Sequence, residues 1–162
     1  MSQKAVFAHI PFVSTVSERI GGKIAANEAR KVMDTELSLH VEALELRLRY
    51  ARGEKNDRRM ATEFLQRLIG DGKQCFQVRD GAAYGKNNSA VSAFEAAAKL
   101  LVSWGNRGSH TEDVVKAEAE ELVLVCQAVI DALRCSGCGK FVHAKSGNDG
   151  YQCQCGTLRW RR

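Results

Sequence analysis

The sequence is poor in proline and has no long apolar run. Pro11 is the only proline in 162 residues, and the middle of the chain is rich in Ala, Leu, Val and Glu, a balance that favours helices. No uninterrupted apolar stretch is long enough to span a bilayer. The first residues also lack the basic start, apolar run and cleavage site of a signal peptide. We therefore expect a mainly α, cytoplasmic protein that does not insert into a membrane.

Cysteine is scarce until the end of the chain. Cys75 and Cys126 stand alone, whereas the other four of the six cysteines lie between residues 135 and 155. Six cysteines could form disulfides, but a tight cluster in a reducing compartment points to a metal site. Two local disulfides remain the alternative, and they would require an oxidising compartment.

The positive charge is unevenly distributed. Residues 1–134 contain 19 basic and 18 acidic side chains, a balance of +1, whereas residues 135–162 contain five basic side chains and one acidic, a balance of +4. Nearly all of the excess charge therefore lies in the tail, where it could meet an anionic partner.

Four amphipathic helices are predicted between residues 27 and 134. In the first, Leu37, Val41, Leu44 and Leu48 recur at the spacing of one helical face. The predicted limits, set by Gly, Asn, Asp and Thr signals, are 27–53, 56–72, 88–105 and 111–134. Asn88 or Ser89 is the predicted cap of the third helix, and Thr111 that of the fourth. Residues 72–88 between the second and third helices are predicted to be a loop with one brief extended piece at 75–78.

The apolar stripe of the fourth helix includes Val115 and Cys126. Because a free cysteine on such a stripe behaves as a small hydrophobe, we expect Cys126 to lie in the core. Four helices with short connections favour an antiparallel bundle of four to five helices over residues 1–134. The tail, residues 135–162, forms the second predicted domain.

The cysteine spacing predicts a structural zinc site in the tail. Cys135-Ser-Gly-Cys138 and Cys153-Gln-Cys155 are two thiolate pairs, and four thiolates form a closed tetrahedral zinc site of the structural type. The tail resembles a zinc ribbon, which implies short β-strands. The second pair has one intervening residue where two are commoner, and His143 could replace one of the sulfurs.

The tail also combines cations with aromatic rings. Such a mixture is typical of nucleic-acid binding, since cations contact phosphates and rings stack on bases. The candidate nucleic-acid-binding residues are Lys140, Lys145, Arg159, Trp160, Arg161 and Arg162. The alternatives are a protein-docking role for the tail, or aromatic rings that only pack the ribbon.

A polar turn, Gly105-Asn-Arg-Gly-Ser-His110, precedes the fourth helix. Asn106 could cap this helix, while Arg107 and His110 could bind a phosphate or act as a general acid and base. The turn and the surrounding helices resemble the HEPN superfamily of helical bundles. Asn106 and His110 match the Asn and His of its motif, whereas Gly105 stands where the catalytic Arg is expected.

The HEPN resemblance implies two further properties. Many members are metal-independent ribonucleases, in which case Asn106, Arg107 and His110 would form the catalytic site, and members commonly form homodimers. The Gly-Asn form of the motif resembles HEPN-like domains that accompany restriction and other mobile-element proteins. It implies an origin in a phage, plasmid or defence locus.

Taken together, these features predict a small nucleic-acid-associated accessory or regulatory protein that acts by binding. An endoribonuclease and a protein–protein adaptor that uses the ribbon are the two alternatives. The sequence does not distinguish RNA from DNA as the partner.

Overall fold

The computed structural model describes residues 18–46, 61–105, 115–147 and 150–161. Its α-helices are α1 (Glu18–Ala43), α2 (Ala61–Cys75), α3 (Asn88–Leu100) and α4 (Lys116–Leu133). A π-helical turn, Leu101–Gly105, continues α3. The strands are β1 (Phe76–Asp80), β2 (Ala83–Lys86), β3 (Ala144–Lys145), β4 (Gly150–Gln152) and β5 (Leu158–Arg161). The prediction of a mainly helical chain with short C-terminal strands is thus confirmed.

Helix α1 begins and ends earlier than predicted. It starts at Glu18, and the buried small residues Ala25 and Ala26 continue its core-facing stripe ahead of the predicted start. It ends at Ala43, and residues 47–60, which include the predicted end at Gly53 and the predicted start of the second helix, lie outside the described part of the chain. At the end of the helix, the Leu46 amide donates to the Val41 carbonyl and the Glu45 amide to the Glu42 carbonyl. Glu45 adopts a φ of 52°. This Schellman arrangement closes the helix without the glycine that usually marks it.

Helix α2 passes through the glycines that were expected to end it. It continues beyond Gly70 and Gly72 to Cys75, and an Arg67–Asp71 ion pair of 2.9 Å spans this stretch. Gly72 is buried, and a Cβ placed on it would lie 3.8 Å from the Trp160 ring. The surroundings of this turn therefore come from distant parts of the chain, which the local sequence could not indicate.

The predicted loop at 72–88 is largely a β-hairpin. The brief extended piece is confirmed as β1, and β2 pairs with it from Gln77↔Lys86 to Asp80↔Ala83. The connecting residue Gly81 has a φ of 59°, which glycine adopts without a side-chain clash.

Helices α3 and α4 lie close to their predicted positions. The cap of α3 is Asn87, whose Oδ1 accepts from the Ala90 amide at 3.2 Å, so neither Asn88 nor Ser89 is the cap. In α4 the stripe from Ala119 to Leu133 is buried, and Cys126 is a core residue as predicted. Val115 is an exception at 52% exposure, and Thr111 lies outside the described residues.

The helices surround one apolar core. α1 packs on α2 and α4, and α3 packs on α2 and α4. None of the helices in the described part of the chain is long and apolar enough to cross a membrane. A fifth helix is not found in that part.

The tail joins the helical part through a five-stranded antiparallel sheet with the order β2-β1-β5-β4-β3. Strand β5 pairs with β1 at Phe76↔Trp160 and Val78↔Leu158. The inner face of the sheet, which includes Phe76, Tyr151 and Trp160, is buried, and α2 packs against β1 and β5. Strand pairing therefore crosses the boundary that was drawn at residue 134.

Replacing either of two leucines of α4 by alanine should change the free energy of unfolding by very different amounts. Leu122→Ala should lower the free energy of unfolding by about 2–5 kcal/mol, because it leaves a cavity at a fully buried site. Leu124→Ala is the matched control, since this side chain is 69% exposed. Urea unfolding of both variants checks the prediction, and equal losses would contradict this core.

Candidate metal centre

Four cysteine sulfurs converge beside the sheet. The Sγ atoms of Cys135, Cys138, Cys153 and Cys155 all lie within 4.8 Å of one another, with Cys135–Cys155 at 3.5 Å and Cys153–Cys155 at 3.6 Å. A tetrahedral zinc site with bonds of roughly 2.3 Å has sulfurs roughly 3.8 Å apart. The cluster can therefore hold a metal ion of this size.

Two backbone loops with similar hydrogen bonds supply the sulfurs. The Cys135 amide donates to Lys140 O at 2.9 Å, and the Cys153 amide donates to Leu158 O at 3.0 Å. Both loops therefore close over five residues. In each loop a glycine follows the second cysteine. The second loop has one residue fewer between its cysteines, but it has the additional residue Thr157 after this glycine. The two loops therefore have the same length, although the spacing of their cysteines differs.

A glycine with positive φ follows the second cysteine of each loop. Gly139 has a φ of 66° and Gly156 one of 73°. The Gly139 amide donates to Cys135 O at 2.8 Å, and the Gly156 amide donates to Cys153 O at 3.0 Å. A residue with a Cβ would be strained at either position, so both glycines allow the sulfurs to face each other.

Amide and hydroxyl groups surround the sulfurs. The Gly137 amide lies 3.3 Å from Cys135 Sγ, the Leu158 amide 3.2 Å from Cys153 Sγ, and Thr157 Oγ1 3.1 Å from Cys155 Sγ. Such donors stabilise thiolates and orient metal ligands.

The thiols differ in acidity because their surroundings differ. Hydrogen bonds from the Thr157 side chain and amide lower the pKa of Cys155 to about 6. The backbone amide of Lys140 lowers the pKa of Cys138. Burial instead raises the pKa of Cys153 to about 11. A metal ion would have to displace the proton of Cys153, so binding should weaken in acid.

His143 is not part of the sulfur cluster. Its Nε2 lies 2.8 Å from Nδ1 of the buried His40 on α1, and its ring stacks on Phe141 with centroids 5.6 Å apart. The geometry favours four sulfur ligands over three sulfurs and one imidazole.

Comparisons with known proteins assign no relative. No protein-family model matches the chain, and no match was found among curated proteins or solved structures. The resemblance to HEPN proteins stays a prediction.

The two histidines hold the tail against α1. His40 also packs against Phe141 in a T-shaped arrangement with centroids 4.6 Å apart, and Lys145 forms a 2.8 Å ion pair with Glu45 just beyond α1. The pair was missed because the two histidines lie 103 residues apart. Only the folded chain brings them together.

The candidate nucleic-acid-binding residues have different environments. Lys140 and Arg161 are exposed, whereas Lys145 is paired with Glu45. Arg159 donates to Gln77 Oε1 through Nε at 3.1 Å. Arg162 lies outside the described residues.

Trp160, expected to stack on bases, is not exposed for stacking in this structure. Its side chain is 2% exposed and packs against Phe76 with centroids 5.5 Å apart. Alternation along β5 turns Trp160 towards the core and its neighbours Arg159 and Arg161 towards the other face. Tyr151, opposite Trp160 on β4, is buried as well.

Asn106, Arg107 and His110 lie outside the described residues, so their predicted catalytic arrangement remains a prediction.

The histidine pair predicts a pH effect on stability. Burial, together with the charges of His143 and Arg134, lowers the pKa of His40 to about 3. The contribution of the neutral His40 to the free energy of unfolding is therefore complete above the unfolded-state pKa of about 6.5. It declines as the pH falls below that value. Between about pH 7.5 and 5.5, the wild type should lose roughly 1 kcal/mol more unfolding free energy than His40→Phe.

Denaturant unfolding at both pH values measures this difference. Comparing the two proteins cancels the contribution of the cysteine thiols, which both contain. Parallel pH profiles would contradict a buried neutral His40.

The ligand set predicts which substitutions affect metal binding. Co²⁺ added under anaerobic conditions should give the visible bands of a tetrahedral thiolate complex, because four sulfurs surround it. Cys153→Ser should weaken these bands and the affinity, whereas His143→Ala and Cys75→Ser should preserve them. Loss of the bands in His143→Ala alone would instead indicate an imidazole ligand.

Proposed function

We propose that this protein holds a structural zinc ion through Cys135, Cys138, Cys153 and Cys155, and acts as a small nucleic-acid-associated accessory or regulatory protein by binding. The observation that carries this proposal is the position of the four sulfurs, beside a sheet whose strand β5 carries Arg159 and Arg161 on one face.

Zinc fits the chemistry of the donor set. Soft thiolates favour zinc over hard divalent ions such as Mg²⁺ and Ca²⁺. Four protein ligands leave no coordination position for water, which is typical of structural sites. When bound, the ion would cross-link the two cysteine loops. The amides around the sulfurs would stabilise the charged ligands.

The cysteine loops are connected to the sheet by hydrogen bonds. The Arg79 amide donates to Thr157 O at 2.8 Å, and the Tyr84 hydroxyl donates to Gly156 O at 2.5 Å. Removing the ion should therefore disturb the β1–β2 hairpin as well as the tail. Folding and binding are expected to depend on the metal together.

Charge supports an anionic partner. The tail has a balance of +4, and Lys140 and Arg161 are exposed to solvent. Phosphate contacts of Lys and Arg supply most non-specific affinity for nucleic acids. A protein adaptor would not require this concentration of like charge.

Nucleic-acid binding by the zinc-loaded full chain tests the proposal. Labelled RNA and DNA should bind at low salt, and affinity should fall as salt rises, because phosphate contacts release counterions. Arg159→Ala combined with Arg161→Ala should weaken binding and reduce the salt slope by about 0.7–0.9 per lost phosphate contact.

Lys31→Ala combined with Lys99→Ala is the matched control, since it removes two cations from α1 and α3. If neither RNA nor DNA binds the zinc-loaded protein, the nucleic-acid proposal is wrong. A zinc content well below one ion per chain after anaerobic purification would contradict the metal proposal independently.

A further inference from the structure

The outer face of the sheet carries a row of aligned residues that crosses all five strands, polar on β2, β1, β5 and β4 and ending at Ala144 on β3. Cross-strand partners lie on the same face of a sheet. The pairings Lys86↔Gln77, Gln77↔Arg159, Arg159↔Gln152 and Gln152↔Ala144 therefore align these residues from β2 to β3. At strand spacings of roughly 4.8 Å, the row is about 19 Å long.

Further polar residues lie on either side of this row. By alternation along the strands, Tyr84 and Arg79 face outward on one side, where they pair with each other, and Arg161 faces outward on the other. The cations of this outer sheet face are Arg79, Lys86, Arg159 and Arg161. Alternation directs Asp80, the one acidic residue of the five strands, to the opposite face.

The cations of the outer sheet face are available for a ligand. Arg79, Lys86 and Arg161 are exposed, and Arg159 is half-buried. Within the described ranges, none of the four forms an ion pair with a carboxylate. Uncompensated like charges repel one another, and a polyanion would relieve this repulsion.

Among these charges, the Arg159 guanidinium is stacked on the Tyr84 ring. The Arg159 guanidinium carbon is 3.9 Å from the centroid of the Tyr84 ring. Its Nη2 donates to Gln77 Oε1 at 2.6 Å, which fixes the guanidinium plane. The Arg79 guanidinium is 5.9 Å from the same ring. Tyr84 is anchored through its hydroxyl on Gly156 of the second cysteine loop.

We infer that the outer sheet face binds single-stranded nucleic acid, and this inference rests on the function proposed above. Arg79, Lys86 and Arg161 contact phosphates, and the Tyr84–Arg159 stack receives an unpaired base. Stacking on a ring or a guanidinium plane requires a base that is not already stacked and paired in a duplex. The hairpin, and not only the tail, then forms the binding site.

The same chemistry would recognise single-stranded RNA or DNA. The experiment therefore uses the zinc-loaded full chain with fluorescent single-stranded RNA and DNA of about 12 nucleotides, within the usual ~4–16-nucleotide range of such sites. A duplex of the same length forms the third arm. Preference between the first two arms identifies the sugar.

The first variant pair tests the hairpin cations. Arg79→Gln combined with Lys86→Gln should weaken single-strand binding about tenfold or more and lower the salt slope by about 1.4, at ~0.7 per phosphate contact. Lys31→Gln combined with Lys99→Gln removes the same charge from the helices and should leave affinity almost unchanged. Thermal unfolding of each variant establishes that it is folded.

The second variant pair tests stacking. Tyr84→Leu should weaken single-strand binding by about 5- to 100-fold, because it removes the ring. Tyr84→Phe keeps the ring and loses only the hydroxyl bond to Gly156, so it should bind more tightly than Tyr84→Leu. This difference separates stacking from general support of the cysteine loop.

Each outcome has a distinct meaning. Single-strand binding that falls with the hairpin and Tyr84→Leu variants but not with the helix variants supports the inference. Wild-type binding that the hairpin variant leaves unchanged, or that is stronger for the duplex, overturns the inference while the proposed function stands. No binding to any of the three nucleic acids overturns the proposed function as well.

Discussion

The pairing of β5 with β1 is the constraint on which the arrangement of this protein depends. It brings a strand from the end of the chain beside a strand that follows α2, with Trp160 opposite Phe76. The buried rings hold the sheet on the helices, and the backbone of Arg79 reaches Thr157 in the second cysteine loop. Elsewhere the tail meets α1 and its end through His143, Phe141 and Lys145.

Strand pairing also separates two kinds of chemistry. Because side chains alternate across a strand, β5 directs Leu158 and Trp160 into the core and Arg159 and Arg161 to the other face. One short segment therefore contributes both apolar packing and positive charge.

The cysteine loops show how similar geometry arises from unlike spacing. The first loop has two residues between its cysteines and the second has one, yet both close with a hydrogen bond across five residues. The glycines at 139 and 156 adopt the left-handed conformation that turns each loop. Thr157 then combines two roles, since its length completes the second loop and its hydroxyl lies beside Cys155. Loop length and sulfur chemistry are therefore coupled at this residue.

Local sequence signals determined the helical class, the core position of Cys126, the extended piece at β1 and the grouping of the four cysteines. These features depend on periodicity, turn residues and short spacings, which are properties of neighbouring residues. The tertiary structure alone decided that Trp160 is buried, that α2 continues through Gly72, that His40 meets His143, and that Arg159 lies on Tyr84. Each of these depends on contacts between residues far apart in the chain, because strand register and packing select the partner, and no local pattern specifies that partner.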